Sequence, residues 1–249
     1  MNQFVAGMKD YWRALALVRR HRMWPWLILP GLISFAYFPG VSVGTYFFVA
    51  DAETYVRDHL LPGFLKQRMF SIIITAALWL AALYIGFMLF RNVILIVYAP
   101  VLGYMSARME EKLKAGSLQT VPPVKFLKAT MRVIGMSLLS LGLSLASLVL
   151  SVGLLIIPLL GGVLMTVFLT VTQMFLAGHG FLDPTFERHG YGVGRSISAA
   201  RKYRWRTMGC GSGFLLLTAI PVVGWFLGPT VGVLAGTISA LDIENGEGG

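Results

Sequence analysis

Long apolar runs alternate with short polar segments along this chain. Five stretches contain no Asp, Glu, Lys, Arg or His: Met23–Ala50, Met69–Phe90, Asn92–Ala107, Val133–Gly178 and Thr207–Leu241. Several exceed the roughly 20 residues that a helix needs to cross a bilayer. Because hydrocarbon offers no partners to backbone N–H and C=O groups, such stretches fold as helices or as hairpins of helices. The pattern predicts an all-α integral membrane protein.

The first three stretches predict two long transmembrane helices. One runs over about 23–50 and the other over about 69–107. The second covers 39 residues, which as one helix would measure about 58 Å. We therefore expect it to tilt, to kink at Pro100 or to project beyond the bilayer.

The last two stretches predict helical hairpins. The sequence Ile157-Pro158-Leu159-Leu160-Gly161 recurs as Ile220-Pro221-Val222-Val223-Gly224, near the middle of each stretch. Since proline lacks an N–H and suits the first turn of a helix, each motif is expected to turn the chain and start a new helix. The arm Thr207–Ile220 has 14 residues, about 21 Å of helix, which favours hairpins that enter the bilayer only partly.

The hairpin-turn residues are therefore Pro158, Gly161, Pro221 and Gly224. Paired breaks in apolar helices mark the substrate site in several transporter folds. The alternative is that Ile-Pro only turns an apolar hairpin.

The two ends of the chain differ from its apolar middle. An amphipathic N-terminal helix is expected on the membrane surface, with one apolar side formed by Phe4, Met8, Tyr11, Trp12, Leu15 and Val18. Residues 1–241 are predicted to form one helical membrane domain. Residues 242–249 are predicted to be an acidic, disordered tail.

Charge sets the expected orientation. Apolar residues make up 56% of the chain, charged residues only 13%, and the net charge is +10. Segments 108–132 and 183–206 carry six basic residues each against two acidic ones, whereas 51–68 is balanced. By the positive-inside rule, the N-terminus and the two basic segments are cytoplasmic and 51–68 is periplasmic. A multi-pass protein of the bacterial inner membrane is predicted.

The sequence lacks the residue patterns of catalysis. All eleven carboxylates lie outside the five charge-free stretches, the four His are dispersed, and Cys210 is the only cysteine. There is no GxxxxGK[ST] phosphate loop. We expect no enzyme activity, no cofactor, no metal site and no nucleic-acid partner.

Hydroxyl residues recur at helical spacing in the first hairpin. One arm carries Ser137, Ser140, Ser144, Ser147 and Ser151, and the other carries Thr166, Thr170 and Gln173. Two interpretations follow: the residues line a wet path for an anion, or they form a close-packed seam between helices. The run Gly228, Gly232 and Gly236 indicates a further packing face, with an interface between subunits as one possibility.

Three segments resemble one known family. They are Tyr98-Ala99-Pro100-Val101-Leu102-Gly103-Tyr104-Met105-Ser106, Phe181-Leu182-Asp183-Pro184-Thr185-Phe186-Glu187-Arg188-His189-Gly190 and Ile220-Pro221-Val222-Val223-Gly224. In this order they are similar to the CysZ sulfate permeases, of a superfamily that includes etoposide-induced membrane proteins. The resemblance covers roughly residues 3–241. It implies two spanning helices, two partly penetrating hairpins, homo-oligomers and sulfate uptake for cysteine synthesis.

One family motif is absent. Where that family has Gly-Leu-Arg for sulfate binding, this chain reads Arg22-Met23-Trp24-Pro25, so no binding residue carries over. The nearby Arg19, Arg20 and Arg22 are the hypothetical anion-binding residues. The predicted function is a permease or channel for sulfate or a related oxyanion, and the alternative is a non-transporting membrane-organising or scaffold protein.

Overall fold

A computed structural model describes residues 3–20, 25–55, 68–114, 123–157, 160–220 and 222–246. Within these ranges the chain forms eight α-helices and a short 3₁₀ helix, with no strand. The α-helices are α1 (Gln3–Arg20), α2 (Pro25–Tyr55), α3 (Arg68–Lys114), α4 (Pro123–Val152), α5 (Gly161–Arg188), α6 (Val193–Lys202), α7 (Arg204–Thr218) and α8 (Val223–Glu244).

Four described helical segments are long and apolar enough to cross a membrane: Gly31–Asp51, Leu127–Val152, Gly161–Arg188 and Val223–Glu244. The all-helical, multi-pass membrane class is therefore confirmed.

The long pair α2 and α3 packs side by side. The Tyr37 hydroxyl donates to the Gly86 carbonyl over 2.8 Å, and the rings of Tyr46 and Trp79 lie 6.5 Å apart. Helix α3 has 47 residues, about 70 Å. It is therefore much longer than the roughly 30 Å thickness of the hydrocarbon layer. This agrees with the expectation that the helix projects beyond the bilayer.

The two Ile-Pro-x-x-Gly motifs share one backbone hydrogen bond. The Gly161 amide donates to the Ile157 carbonyl and the Gly224 amide donates to the Ile220 carbonyl, both over 2.9 Å. Helix α5 begins at Gly161 and α8 begins at Val223, so a new helix starts within each motif. Pro158 and Pro221 lie outside the described residues.

The arms of the two hairpins differ in reach. Helix α7 has 15 residues, about 22 Å, which is too short to cross. Helices α4 and α5 have 30 and 28 residues, enough to cross. Partial penetration of the first hairpin therefore stays a prediction.

Helix α8 lies at the centre of the molecule. It contacts α1, α2, α3, α5 and α7. Inside its apolar window 89% of the residues are buried, against 12%, 17% and 28% for the windows in α2, α4 and α5. Protein therefore surrounds α8, while the other three expose apolar side chains outward.

Glycines allow this dense packing. A Cβ on Gly209 of α7 would lie 2.0 Å from the Phe4 carbonyl oxygen of α1, and one on Gly7 would lie 2.5 Å from the Arg206 oxygen. Helix α7 contacts α5 on another side. Glycine-rich α7 is thus wedged between α1 and α5.

The glycine run of α8 packs within the chain. A Cβ on Gly232 would lie 2.9 Å from the Phe181 ring, one on Gly236 2.4 Å from the Phe181 oxygen, and one on Gly228 2.9 Å from Thr218 Cγ2. The predicted packing face is present on α8, and it contacts α5 and α7 of the same chain. It is not a subunit interface.

Helix α1 differs from the expected surface helix. It buries Gly7, Asp10, Tyr11, Ala14 and Val18 against α7 and α8, while Trp12 is 75% exposed. The buried side is rotated from the predicted apolar side toward Gly7, Asp10 and Ala14, and Asp10 pairs with Arg206 inside the protein. At the other terminus α8 includes Asp242 and Glu244, which the sequence assigned to the tail.

Candidate functional site

Buried charges concentrate at one end of the helix bundle, here called the polar end. It is formed by the last turns of α3, α5 and α8, which contain Glu110, Arg188 and Glu244, and by the first third of α4, which contains Arg132. Three networks of ion pairs lie in or beside it.

The first network joins α1, α7 and α8. Arg206 Nη2 lies 2.6 Å from Asp10 Oδ2 and 2.5 Å from Asp242 Oδ2. Arg13 Nη1 contacts the same two carboxylates at 2.9 and 2.7 Å, and the Ser239 hydroxyl donates to Asp10 over 2.5 Å. Burial raises the pKa of Asp10, and the Arg206 guanidinium opposes that rise. The network clamps the N-terminal helix to the second hairpin.

The second network joins α3, α5 and α8. Arg188 Nη2 lies 3.2 Å from Glu110 Oε2 and donates to the Ser106 hydroxyl over 2.8 Å. The two ring nitrogens of His189 contact Glu110 and Glu244. One imidazole thus links the ends of α3 and α8.

The third network fixes the end of the first hairpin. Arg132 of α4 makes a two-pronged contact with Asp183 of α5, at 2.7 Å through Nη2 and 3.2 Å through Nε. Arg132 also donates to the Tyr191 carbonyl. Ser196 of α6 donates to Asp183 over 2.5 Å, and His179 Nε2 lies 3.2 Å from the Ser196 hydroxyl.

Beside this third network lies an open groove of about 700 Å³. One wall belongs to α4 and the other to the end of α5 and the start of α6. The lining residues are Lys128, Arg132, Gly135, Met136, Leu139, Glu187, Gly190, Tyr191, Gly192 and Val193.

The hypothetical anion-binding residues lie away from that groove. Arg19 and Arg20 are exposed in the last turn of α1, and Arg22 lies outside the described residues. Helix α2 starts only five residues after Arg20, and Gly31 of α2 packs against the Phe226 ring near the start of α8.

The hydroxyl stripe of α4 is buried. Ser137, Ser144, Ser147 and Ser151 are 3%, 0%, 6% and 0% exposed, and Ser140 is half-buried. Ser147 donates to the Ser144 carbonyl and Ser151 to the Leu148 carbonyl. Buried hydroxyls bonded to their own helix are typical of a packed seam.

The second stripe does not join the first. Thr166 and Thr170 of α5 are exposed, Gln173 is half-buried, and Thr166 donates to the Gly162 carbonyl of its own helix. The two predicted stripes therefore do not face one another across a common path.

Sequence reasoning missed the ion-pair networks. It placed the carboxylates in polar segments, whereas Asp10 and Asp183 are 1% and 2% exposed. One pattern in the sequence could have indicated these networks. In the segment Phe181–Gly190, Asp, Arg and His stand among large apolar residues. In the described part of the chain, no group of three or more His, Cys, Asp or Glu is arranged to hold a metal ion.

Comparison with known proteins adds one finding. The family model described as Sulfate transporter CysZ/Etoposide-induced protein 2.4 matches residues 10–229 of the chain. No curated protein matches the chain.

Proposed function

Because the chain belongs to the family of sulfate transporter CysZ and etoposide-induced protein 2.4, we propose that it passes sulfate or a related oxyanion through the membrane. The match over residues 10–229 is the observation that carries this proposal. In full, the proposal is a homo-oligomeric permease of a bacterial inner membrane that brings the anion into the cytoplasm for cysteine synthesis, with no catalytic reaction of its own.

The polar end is assigned to the cytoplasmic side. The exposed cations Lys112, Lys128, Arg195, Arg201 and Lys202 all lie on the segments that form or adjoin it. The positive-inside rule keeps such residues on the side of synthesis. Their field would also raise the local concentration of anions leaving the pathway.

We assign anion binding to the last turn of α1. Arg19 and Arg20 supply exposed guanidinium groups, which suit oxyanions because their N–H donors match oxygen pairs. Since the sequence has no nucleotide-binding loop, flux would follow the gradient or a coupled ion.

The decisive experiment is uptake of labelled sulfate into liposomes that contain only this protein. Flux well above that of empty vesicles supports the proposal. Flux equal to empty vesicles, with the protein inserted in both orientations, contradicts it.

Single variants test the anion-binding residues. Arg19→Ala and Arg20→Ala should each raise the sulfate concentration for half-maximal flux by about tenfold, the loss expected for a hydrogen bond to a charged group. Lys9→Ala is the matched control, an exposed cation on the same helix, and should leave flux unchanged. If all three variants behave alike, the assignment of Arg19 and Arg20 is wrong.

The buried serines favour a second candidate, a membrane-organising or scaffold protein without transport. Ser144 and Ser151 have no exposed surface, as in a seam that holds two helices together. Under this candidate, vesicles with the protein show no sulfate flux but change in shape or in protein clustering, which electron microscopy of the liposomes would record.

A further inference from the structure

The groove at the end of the first hairpin has the features of a phospholipid site, and it is independent of the proposed transport. It lies between Lys128 on α4 and Glu187 on α5. The candidate membrane span of α4 begins at Leu127. The groove therefore opens at the boundary between headgroups and hydrocarbon.

Its charges are of both signs. Arg132 lines the groove, but its guanidinium is held by the two oxygens of Asp183. That leaves the exposed Lys128 as the cation of one wall and the half-buried Glu187 as the carboxylate of the other.

The polarity of the groove changes along α4. Lys128, Arg132, Gly135, Met136 and Leu139 occupy positions i, i+4, i+7, i+8 and i+11 and so share one side of the helix. From Lys128 to Leu139 the helix rises about 16 Å, and the lining changes from charged to apolar. A phospholipid has the same sequence of parts, from headgroup to acyl chain.

We propose that this groove binds an aminophospholipid, with the phosphate at Lys128, the primary ammonium at Glu187 and an acyl chain along Met136 and Leu139. Glu187 decides between the candidate ligands. It repels an anionic headgroup and a free sulfate ion, whereas it accepts hydrogen bonds from an ammonium group. A choline headgroup offers no N–H donor to it.

Native mass spectrometry of the purified, delipidated protein tests the proposal. Phosphatidylethanolamine, phosphatidylglycerol and phosphatidylcholine with the same acyl chains are added in turn. We expect phosphatidylethanolamine to bind most tightly. Equal binding of the three lipids would overturn the assignment of Glu187, and preference for phosphatidylglycerol would make the site one for anionic lipids.

Variants locate the site. Lys128→Ala should weaken binding of all three lipids about fivefold, the loss expected for one basic residue at a lipid surface, while Lys128→Arg should retain binding. Glu187→Gln should remove the preference for phosphatidylethanolamine over phosphatidylcholine. Lys112→Ala, an exposed lysine outside the groove, is the control. Unchanged binding in both Lys128→Ala and Glu187→Gln would overturn the proposal.

Free sulfate separates this site from transport. Millimolar sulfate should not displace bound phosphatidylethanolamine. Displacement that Lys128→Ala abolishes would assign the groove to the transported anion instead. A variant that loses lipid binding and still transports sulfate would show that the lipid site is separate from the transport path.

Discussion

Gly178 of α5 and Gly211 of α7 lie at a crossing with almost no space between the two backbones. A Cβ on Gly211 would stand 2.8 Å from the Gly178 nitrogen and 1.7 Å from the Met174 oxygen. A Cβ on Gly178 would stand 1.8 Å from the Thr207 oxygen. Main-chain atoms cannot turn aside as a flexible side chain does, so the helices would have to separate.

Substitution at this crossing should destabilise the protein. We expect Gly178→Ala and Gly211→Ala each to cost about 1–3 kcal/mol, the usual penalty of an overpacked core. Thermal unfolding of the detergent-solubilised protein measures the effect. Gly142→Ala is the control, because a Cβ there meets nothing within 4 Å. If the control variant had a lowered melting temperature and the other two variants did not, the close packing described at this crossing would be wrong.

The Asp10–Arg206 ion pair gives a second prediction. Arg206→Met should destabilise the protein by about 3–5 kcal/mol, because it removes a partner of a buried carboxylate. The double variant Asp10→Asn with Arg206→Met should be more stable than Arg206→Met alone, since the amide carries no charge. Urea or thermal unfolding of the single and double variants checks the order. Equal stability of the two would show that Asp10 does not depend on Arg206.

The same pair predicts how stability depends on pH. Burial raises the folded-state pKa of Asp10 above its usual 3.8, and Arg206→Met removes the main opposing charge. A raised folded-state pKa means that the folded protein holds this proton more tightly than the unfolded chain. The Arg206→Met variant should therefore lose stability as the pH rises from 3.8 through the raised pKa.

Melting temperatures over this pH range, for wild type and variant side by side, measure the difference. The wild type should lose less stability over the same range because Arg206 stabilises the carboxylate. Parallel pH profiles for the two proteins would count against the assignment.

The buried stripe of α4 predicts an asymmetry between its two sides. Ser144→Leu should destabilise the first hairpin by about 1–3 kcal/mol, since Ser144 has no exposed surface. Ala146→Leu, on the exposed side of the same helix, should be nearly neutral. Thermal unfolding compares these two variants. Sulfate flux of Ser144→Ala then distinguishes a packed seam between helices from an anion pathway. A seam leaves that flux unchanged.

The turn of the second hairpin holds a strained residue. Val222 has φ 62° and ψ −64°, and among the described residues it is the one non-glycine with positive φ. Val222→Gly should stabilise the protein by about 1 kcal/mol because such strain costs about 1–3 kcal/mol. Val223→Gly, one residue later at the start of α8, should not stabilise it. Melting temperatures of the two variants check the contrast.

Local features of the fold were predictable from sequence, and contacts between distant segments were not. The repeated Ile-Pro-x-x-Gly motif predicted that a new helix starts there, and α5 and α8 do begin within its two copies, because the signal lies within five residues. The partner of Asp10 is Arg206, 196 positions away, and no periodicity within α1 indicates it. The run from Gly228 to Gly236 predicted a packing face but not its partner, Phe181.

The same limit applies to the candidate site. Helical spacing in the sequence placed Arg19 and Arg20 on α1. The groove, in contrast, depends on Lys128 and Glu187, which lie on different helices and come together only when the first hairpin folds. The stripe on α4 was visible as a pattern of serines, whereas its burial depends on neighbouring helices. Hydroxyl spacing alone therefore did not separate a pathway from a seam.

The enclosed position of α8 has a consequence for biogenesis. Five helices that precede α8 in the chain pack around it, so all five are synthesised before it. The space that α8 fills must stay open, or be occupied by lipid or by an insertion factor, until α8 itself has been synthesised. A chain that stops before Val223 would lack the helix that the other five surround. Cellular quality control would recognise it as incompletely folded.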